Sequence, residues 1–252
     1  MSNIITAALM MPFWYLSYLF NRNKKKIIFG SWYGEKYADN PRYLFEFFSS
    51  FNDYESYWIT RNKTIYKRLK SQNKKVLLVN SISGIYHSLT AGVIIFSSGK
   101  KDVNPYFING AIIINLWHGA PLKKICKLND KVNSELINKL KGFFLPNIYE
   151  YNIDYVLSTS KVFDQILSKS FGVNSKNILK FGYPRNDSFF LEKEITATTR
   201  KICYLPTFRD GIPDYDLFES FGFDLKTTEE FLRNNNCEMY LGSHFVSKKY
   251  DQ

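Results

Sequence analysis

The sequence predicts an α/β fold built on a doubly wound, mainly parallel sheet, and three observations carry that expectation. From Lys26 onward, apolar β-rich runs alternate with helix-like stretches. Several of the runs are apolar without interruption, as in "AIIIN" and "GVIIF", which is the pattern of parallel strands covered on both faces. Polar clusters follow directly after the runs, where ligands bind in such sheets. With 252 residues, 45% hydrophobic and 17% aromatic, the chain has ample material for a large core.

In chain order, the first element is "IITAALMMPFWYLSYLF", residues 4–20, apolar apart from Thr6, Pro12 and Ser17 and followed by Arg22, Lys24, Lys25 and Lys26. A secretory signal carries its charges before the apolar run and a small-residue cleavage site after it, and this stretch has neither. It admits three readings: an anchor in the interface of an anionic membrane, a span interrupted by Pro12, or a helix packed on the domain. A strand is expected at 26–31. Asn40 and Pro41 then provide a capping residue and a first-turn proline for the helix "NPRYLFEFFSSF". Strands follow at 54–60, 75–80, 92–98 and 111–115, with His87 in a helical "GIYHSLT" that reads as structural or exposed. A strand at 153–159 leads into "SKVFDQILSKSFG", capped by Ser160 and closed by Gly172, and a further strand is expected at 177–182. The pattern restarts after Asp187, with a strand at 201–205, the helix "DLKTTEEFLRNNN" and the strand "CEMYLG". The organisation expected is therefore a membrane-associating segment (1–25), a complete domain (26–195) and the start of a second (196–252), which is shorter than a usual domain.

The formal charge of +11 points to an anionic partner: nucleic acid, an acidic membrane surface or a phosphorylated substrate. No nucleic-acid-binding motif accompanies it, so no nucleic-acid partner is expected. Cys126, Cys203 and Cys237 are odd in number and lack CxxC spacing, which argues against a disulfide framework or a zinc site and for a reducing cytosol. The chain contains no GxGxxG, GxxxxGK[ST] or GxSxG.

Polar clusters at strand ends are "GSWYGEKYADN", "TRNK", "WHGAPLKK", "GYPRND" and "PTFRD". Asn186 and Asp187 admit a helix-capping role, Arg185 and Arg209 a solvated one, and Trp117 a place in the core. His118 differs, because it lies in a Gly/Pro turn at a strand end. Pro121 is expected to open a helix whose free N–H groups, with Lys123 and Lys124, attract phosphate. The same field is expected to lower the imidazole pKa and keep a general base neutral.

"NLWHGAPLKKI", "FGYPRND" and "YLPTFRD", in this order, resemble the CDP-glycerol glycerophosphotransferases of teichoic acid and capsule synthesis. "FGSWYGEKYADNPRYLFEFF" and "YWITRNK" are similar to that family's first domain, and the likeness runs from Lys26 to Gln252. The resemblance implies a GT-B arrangement of two Rossmann-like domains, on the cytoplasmic face of the plasma membrane, using no cofactor or metal. His118 would take a proton from a hydroxyl of a lipid-linked or polymeric glycerol-phosphate or sugar acceptor, which attacks the β-phosphorus of CDP-glycerol and expels CMP. Arg185 and Arg209, with Asn186, Asp187 and Asp210 beside them, would lie near the cleft and hold phosphate. His244, in "YLGSHFV", is matched to the family's second histidine, with Phe245 where proline is usual and Gly242 where a basic residue is usual. The family's donor site draws on later residues than Gln252. The expectation is thus a fragment, a chain completed by a second polypeptide or oligomer partner, or an inactive membrane-associated binding scaffold.

Overall fold

The computed structural model describes residues 2–128, 152–191, 199–205, 222 and 224–241, and these fall in two compact units, Met1–Leu191 and Glu192–Gln252. Within the first unit, the strands are β1 (Asn23–Phe29), β2 (Glu55–Thr60), β3 (Val76–Leu78), β4 (Ala91–Phe96), β5 (Ile112–Asn115), β6 (Tyr155–Ser158) and β7 (Ile178–Lys180). Helices α1 (Ser2–Ser17), α2 (Asp39–Phe48), α3 (Lys63–Ser71), α4 (Ile82–Thr90) and α5 (Lys161–Phe171) accompany them. Among the described residues the sheet has seven strands, all parallel, in the order β3-β2-β1-β4-β5-β6-β7. This is a Rossmann-like α/β domain. The order reverses direction between β1 and β4, which opens a crevice beyond their carboxyl ends.

The alternation of side chains along each strand explains the unbroken apolar runs. Ile27, Phe29, Trp58 and Ile95 point to one face, where Phe45 of α2 and Leu69 of α3 cover them. Ile28, Ile59, Ile94 and Phe96 point to the other, against Val103, Ile108 and Ile113. In register, Phe29 lies between Trp58 of β2 and Ile95 of β4, at the centre of the first cluster. Fully burying each such side chain contributes about 1.5 to 3 kcal/mol.

Helix α1 settles against this domain through Ala7, Trp14 and Ser17. Ser17 Oγ accepts from the Asn109 N–H at 3.2 Å, and Asn109 Nδ2 donates to Trp14 O at 3.3 Å. Its other sides expose Ile5, Leu9, Phe13 and Leu16, and the following turn exposes Leu19 and Phe20. No helix among the described residues is long and apolar enough to cross a membrane. The basic run after α1 divides. Lys24 and Lys25 are exposed, whereas Lys26 is buried beside Thr90 Oγ1 (3.1 Å) and Glu55 (3.5 Å), and Arg22 turns inward.

Helix α5 has the expected punctuation: Ser160 Oγ accepts from Val162 N, and Gly172 closes the helix at φ 66°, a conformation glycine adopts without strain. The start of α2 differs. Ala38 is its capping residue and makes no side-chain bond there, so Asn40 is not a cap but a buried residue of the first turn. Its amide is drawn instead to the loop after β5.

In the second unit, β8 (Arg200–Tyr204) and β9 (Cys237–Leu241) pair in parallel, with α6 (Leu225–Asn234) between them in sequence. Asp224 caps α6 by accepting from Thr227 N at 2.9 Å. This β-α-β unit follows the alternation expected from the sequence. Arg209, Asp210 and His244 lie outside the described residues.

Candidate active site

The turn that carries His118 begins at the end of β5. Asn115 Oδ1 accepts from Trp117 N at 2.8 Å and folds the chain back, leaving Trp117 at φ 52°, an uncommon conformation for a bulky residue. Trp117 is core: it packs with Val156, Leu167 and Phe171. Asn40 Nδ2 donates to Trp117 O at 2.8 Å, which is the role its amide takes in place of capping.

The His118 ring lies against Trp117, with centroids 3.9 Å apart, and 6.1 Å from Trp32. Its Nδ1 is 3.1 Å from the Ser97 carbonyl oxygen at the end of β4. A carbonyl only accepts, so Nδ1 carries the proton and, in the neutral ring, Nε2 keeps the lone pair. Tertiary structure thereby selects the tautomer that a general base needs.

Behind Ser97 stands Asp102, which is fully buried. Its carboxylate accepts from the backbone N–H of Ser97 (3.1 Å), Ser98 (2.7 Å) and Tyr33 (2.7 Å). Burial pushes its pKa up, against the opposing pull of the N–H groups of Ser98, Tyr33, Ser97 and Gly99. The approach is close: a Cβ on Gly30, just past β1, would overlap the Asp102 carbonyl oxygen. Asp102 thus joins the loop after β1, including Trp32 (φ 47°) and Tyr33 (φ 59°), to the end of β4. In the "TRNK" cluster, Thr60 Oγ1 donates to Gly34 O (2.6 Å) and Asn62 caps α3, so these two residues shape the loop from behind.

After β7, residues Pro184–Phe189 form a 3-10 turn that places Arg185 beside α2. Its Nη1 donates to Asp39 Oδ1 at 2.9 Å and its Nη2 to the His118 carbonyl oxygen at 3.0 Å. An open pocket of about 630 Å³ is lined by Trp32, Lys36, Asp39, Tyr43, Arg185, Asn186, Ser188 and Phe189. Asp187 is exposed on the same turn.

The structure therefore brings His118, Arg185 and Asn186 to one end of the sheet. Lys123 and Lys124 are exposed on irregular chain beyond Gly119. The helix expected to open at Pro121 is not formed in the described residues: the segment reaches Leu128 with only a single 3-10 turn, Cys126–Leu128. The Gly-Ala-Pro sequence lacks a side chain to cap the first N–H groups, so proline alone does not start a helix there. Ser97 and Asp102 escaped sequence reasoning, and Asp39, inside the strand-end cluster "GSWYGEKYADN", carried no role of its own there. Asn40 and Pro41 beside it read as a capping signal, and Asp102 lies in no strand-end motif.

A family model described as CDP-Glycerol:Poly(glycerophosphate) glycerophosphotransferase matches residues 13–251. A teichoic acid poly(glycerol phosphate) polymerase of Bacillus spizizenii is 28% identical over 244 residues, covering 88% of this chain and 59% of that protein. A teichoic acid glycerol-phosphate transferase of Staphylococcus aureus is 24% identical over 247 residues, covering 91% and 62% respectively. The fold is similar to that of a wall teichoic acid polymerase TagF variant soaked with CDPG, at TM-score 0.70 and 21% identity, over 97% of this chain and 63% of that one. This chain thus spans about three-fifths of the length of these two relatives.

Proposed function

Because the chain belongs to the CDP-glycerol:poly(glycerophosphate) glycerophosphotransferase family, we propose that it takes part in moving glycerol phosphate from CDP-glycerol to a hydroxyl of a teichoic acid or capsular polymer, with release of CMP. The observation that carries this reading is the bond between His118 Nδ1 and Ser97 O, which reserves Nε2 for a substrate proton. As an acceptor hydroxyl gives its proton to Nε2, its oxygen forms the new bond to the β-phosphorus. The bond from that phosphorus to the bridging oxygen breaks, and CMP departs with the electron pair. Such a reaction asks the protein mainly for positioning and charge stabilisation.

The same reading places the chain at the cytoplasmic face of the membrane. The exposed apolar residues of α1 and the exposed Lys24 and Lys25 suit an anionic bilayer surface, where a lipid-linked acceptor is held.

The test is CMP release from CDP-glycerol in the presence of a poly(glycerol phosphate) acceptor. His118→Ala is expected to lower turnover by about 10² to 10⁴-fold, the usual contribution of a positioned general base. Near-normal turnover in that variant refutes the mechanism. A wild-type chain that binds polymer but releases no CMP identifies a binding scaffold instead.

A further inference from the structure

We infer that Asp39 and Arg185 form a clamp that orients His118 through its main chain, which makes Arg185 a positioning residue. The inference rests on the reading of His118 as a base. Arg185 is 146 positions from Asp39 and 67 from His118, yet its two terminal nitrogens reach one acceptor on each. The Asp39 side chain is 3% exposed and that of Arg185 35%, so the pair lies mostly out of water and its geometry is held rather than averaged. Each terminal nitrogen spends one of its N–H groups on a protein oxygen, so both arms of the guanidinium are engaged by the chain around His118.

The clamp works together with two other tethers. Arg185 holds the His118 carbonyl, Asn40 holds the Trp117 carbonyl, and Ser97 holds the imidazole Nδ1. These come from the turn after β7, the start of α2 and the end of β4, so main chain and ring are fixed from three sides. Asp39 (φ 65°) and Trp117 (φ 52°) both sit in left-handed backbone conformations. Non-glycine residues persist there when the surroundings hold them, and such residues cluster at functional sites.

The distinguishing variant is Arg185→Lys. A single ammonium cannot span both acceptors, although it keeps the charge that a phosphate would need. Two readouts are required. Long-range proton–nitrogen NMR reports the imidazole tautomers of the full chain, which has three histidines, and His118 is assigned by its disappearance in His118→Gln. Arg185→Lys and Asp39→Ala are expected to move the His118 signals from the Nδ1–H tautomer toward an average of both, leaving those of His87 in place. Asp39→Asn, which keeps an acceptor oxygen, is expected to stay near wild type. In turnover, kcat should fall by about 10 to 100-fold with KM for CDP-glycerol unchanged, and Asp39→Ala/Arg185→Lys should be no worse than either single change. Unchanged His118 signals in both variants overturn the clamp. So does an Arg185→Lys enzyme with wild-type kcat and a raised KM, the signature of a phosphate donor. A wild-type chain that releases no CMP defeats the glycerophosphotransferase reading alone, and the NMR result still decides the clamp.

Discussion

Asp102 influences His118 without being near it in sequence or bonded to its ring. Its acceptors hold the Ser97 and Ser98 N–H groups, and the Ser97 carbonyl in turn accepts the hydrogen bond from His118 Nδ1. Asp102→Asn would set an amide donor against those N–H groups, leaving buried donors unpaired. We expect a loss of about 2 to 3 kcal/mol in urea unfolding, with a lower kcat as the Ser97 carbonyl shifts. The pH dependence has a defined sign. Since burial raises the Asp102 pKa above its ordinary 3.8, the folded protein binds more protons than the unfolded chain between that value and the folded pKa. The contribution of this group to stability therefore falls as pH rises through that window, and the slope should vanish in Asp102→Asn. At this scale the sequence showed His118 because a turn at a strand end is locally encoded. It did not show Asp102, whose meaning lies in backbone groups that only the fold brings to it.

At the scale of elements, α1 depends on Arg22. The guanidinium donates to the carbonyl oxygens of Ser17 (2.9 Å), Ser88 (2.6 Å), Ala91 (3.3 Å), Phe107 (3.4 Å) and Asn109. Burial lowers its pKa to about 10, still charged at neutral pH. Arg22→Met should cost about 3 kcal/mol, since charged hydrogen bonds contribute about 1.5 to 3 kcal/mol and the carbonyls are left unpaired. Arg22→Lys should lose nearly as much, because one ammonium cannot serve these acceptors together. Urea titration, with limited proteolysis near residue 20 to detect release of α1, checks both. The sequence marked a basic run after an apolar segment, but composition does not say which way a side chain turns. The same limit applies to Pro121, where a helix signal was present and its capping partner was not.

At the scale of the whole molecule, the charge of +11 and the exposed apolar side of α1 predict binding to anionic vesicles made with phosphatidylglycerol. The electrostatic part should weaken as salt rises from about 0.05 to about 0.5 M, because screening shortens to a few ångströms. Substituting Leu9, Leu16 and Leu19 with serine should remove the part that salt leaves behind. Sedimentation with vesicles measures both, and equal binding to uncharged vesicles would contradict the electrostatic part.

The sequence by itself determined the alternation of strands and helices, the double-sided burial of the strands and the strand-end clusters, because periodicity and punctuation are local properties. Only the tertiary structure decided the strand order that opens the crevice between β1 and β4, the inward turn of Arg22 and the partners of Arg185. These depend on groups tens to more than a hundred positions apart, and a hydrogen-bond partner at that distance leaves no periodic trace in the chain.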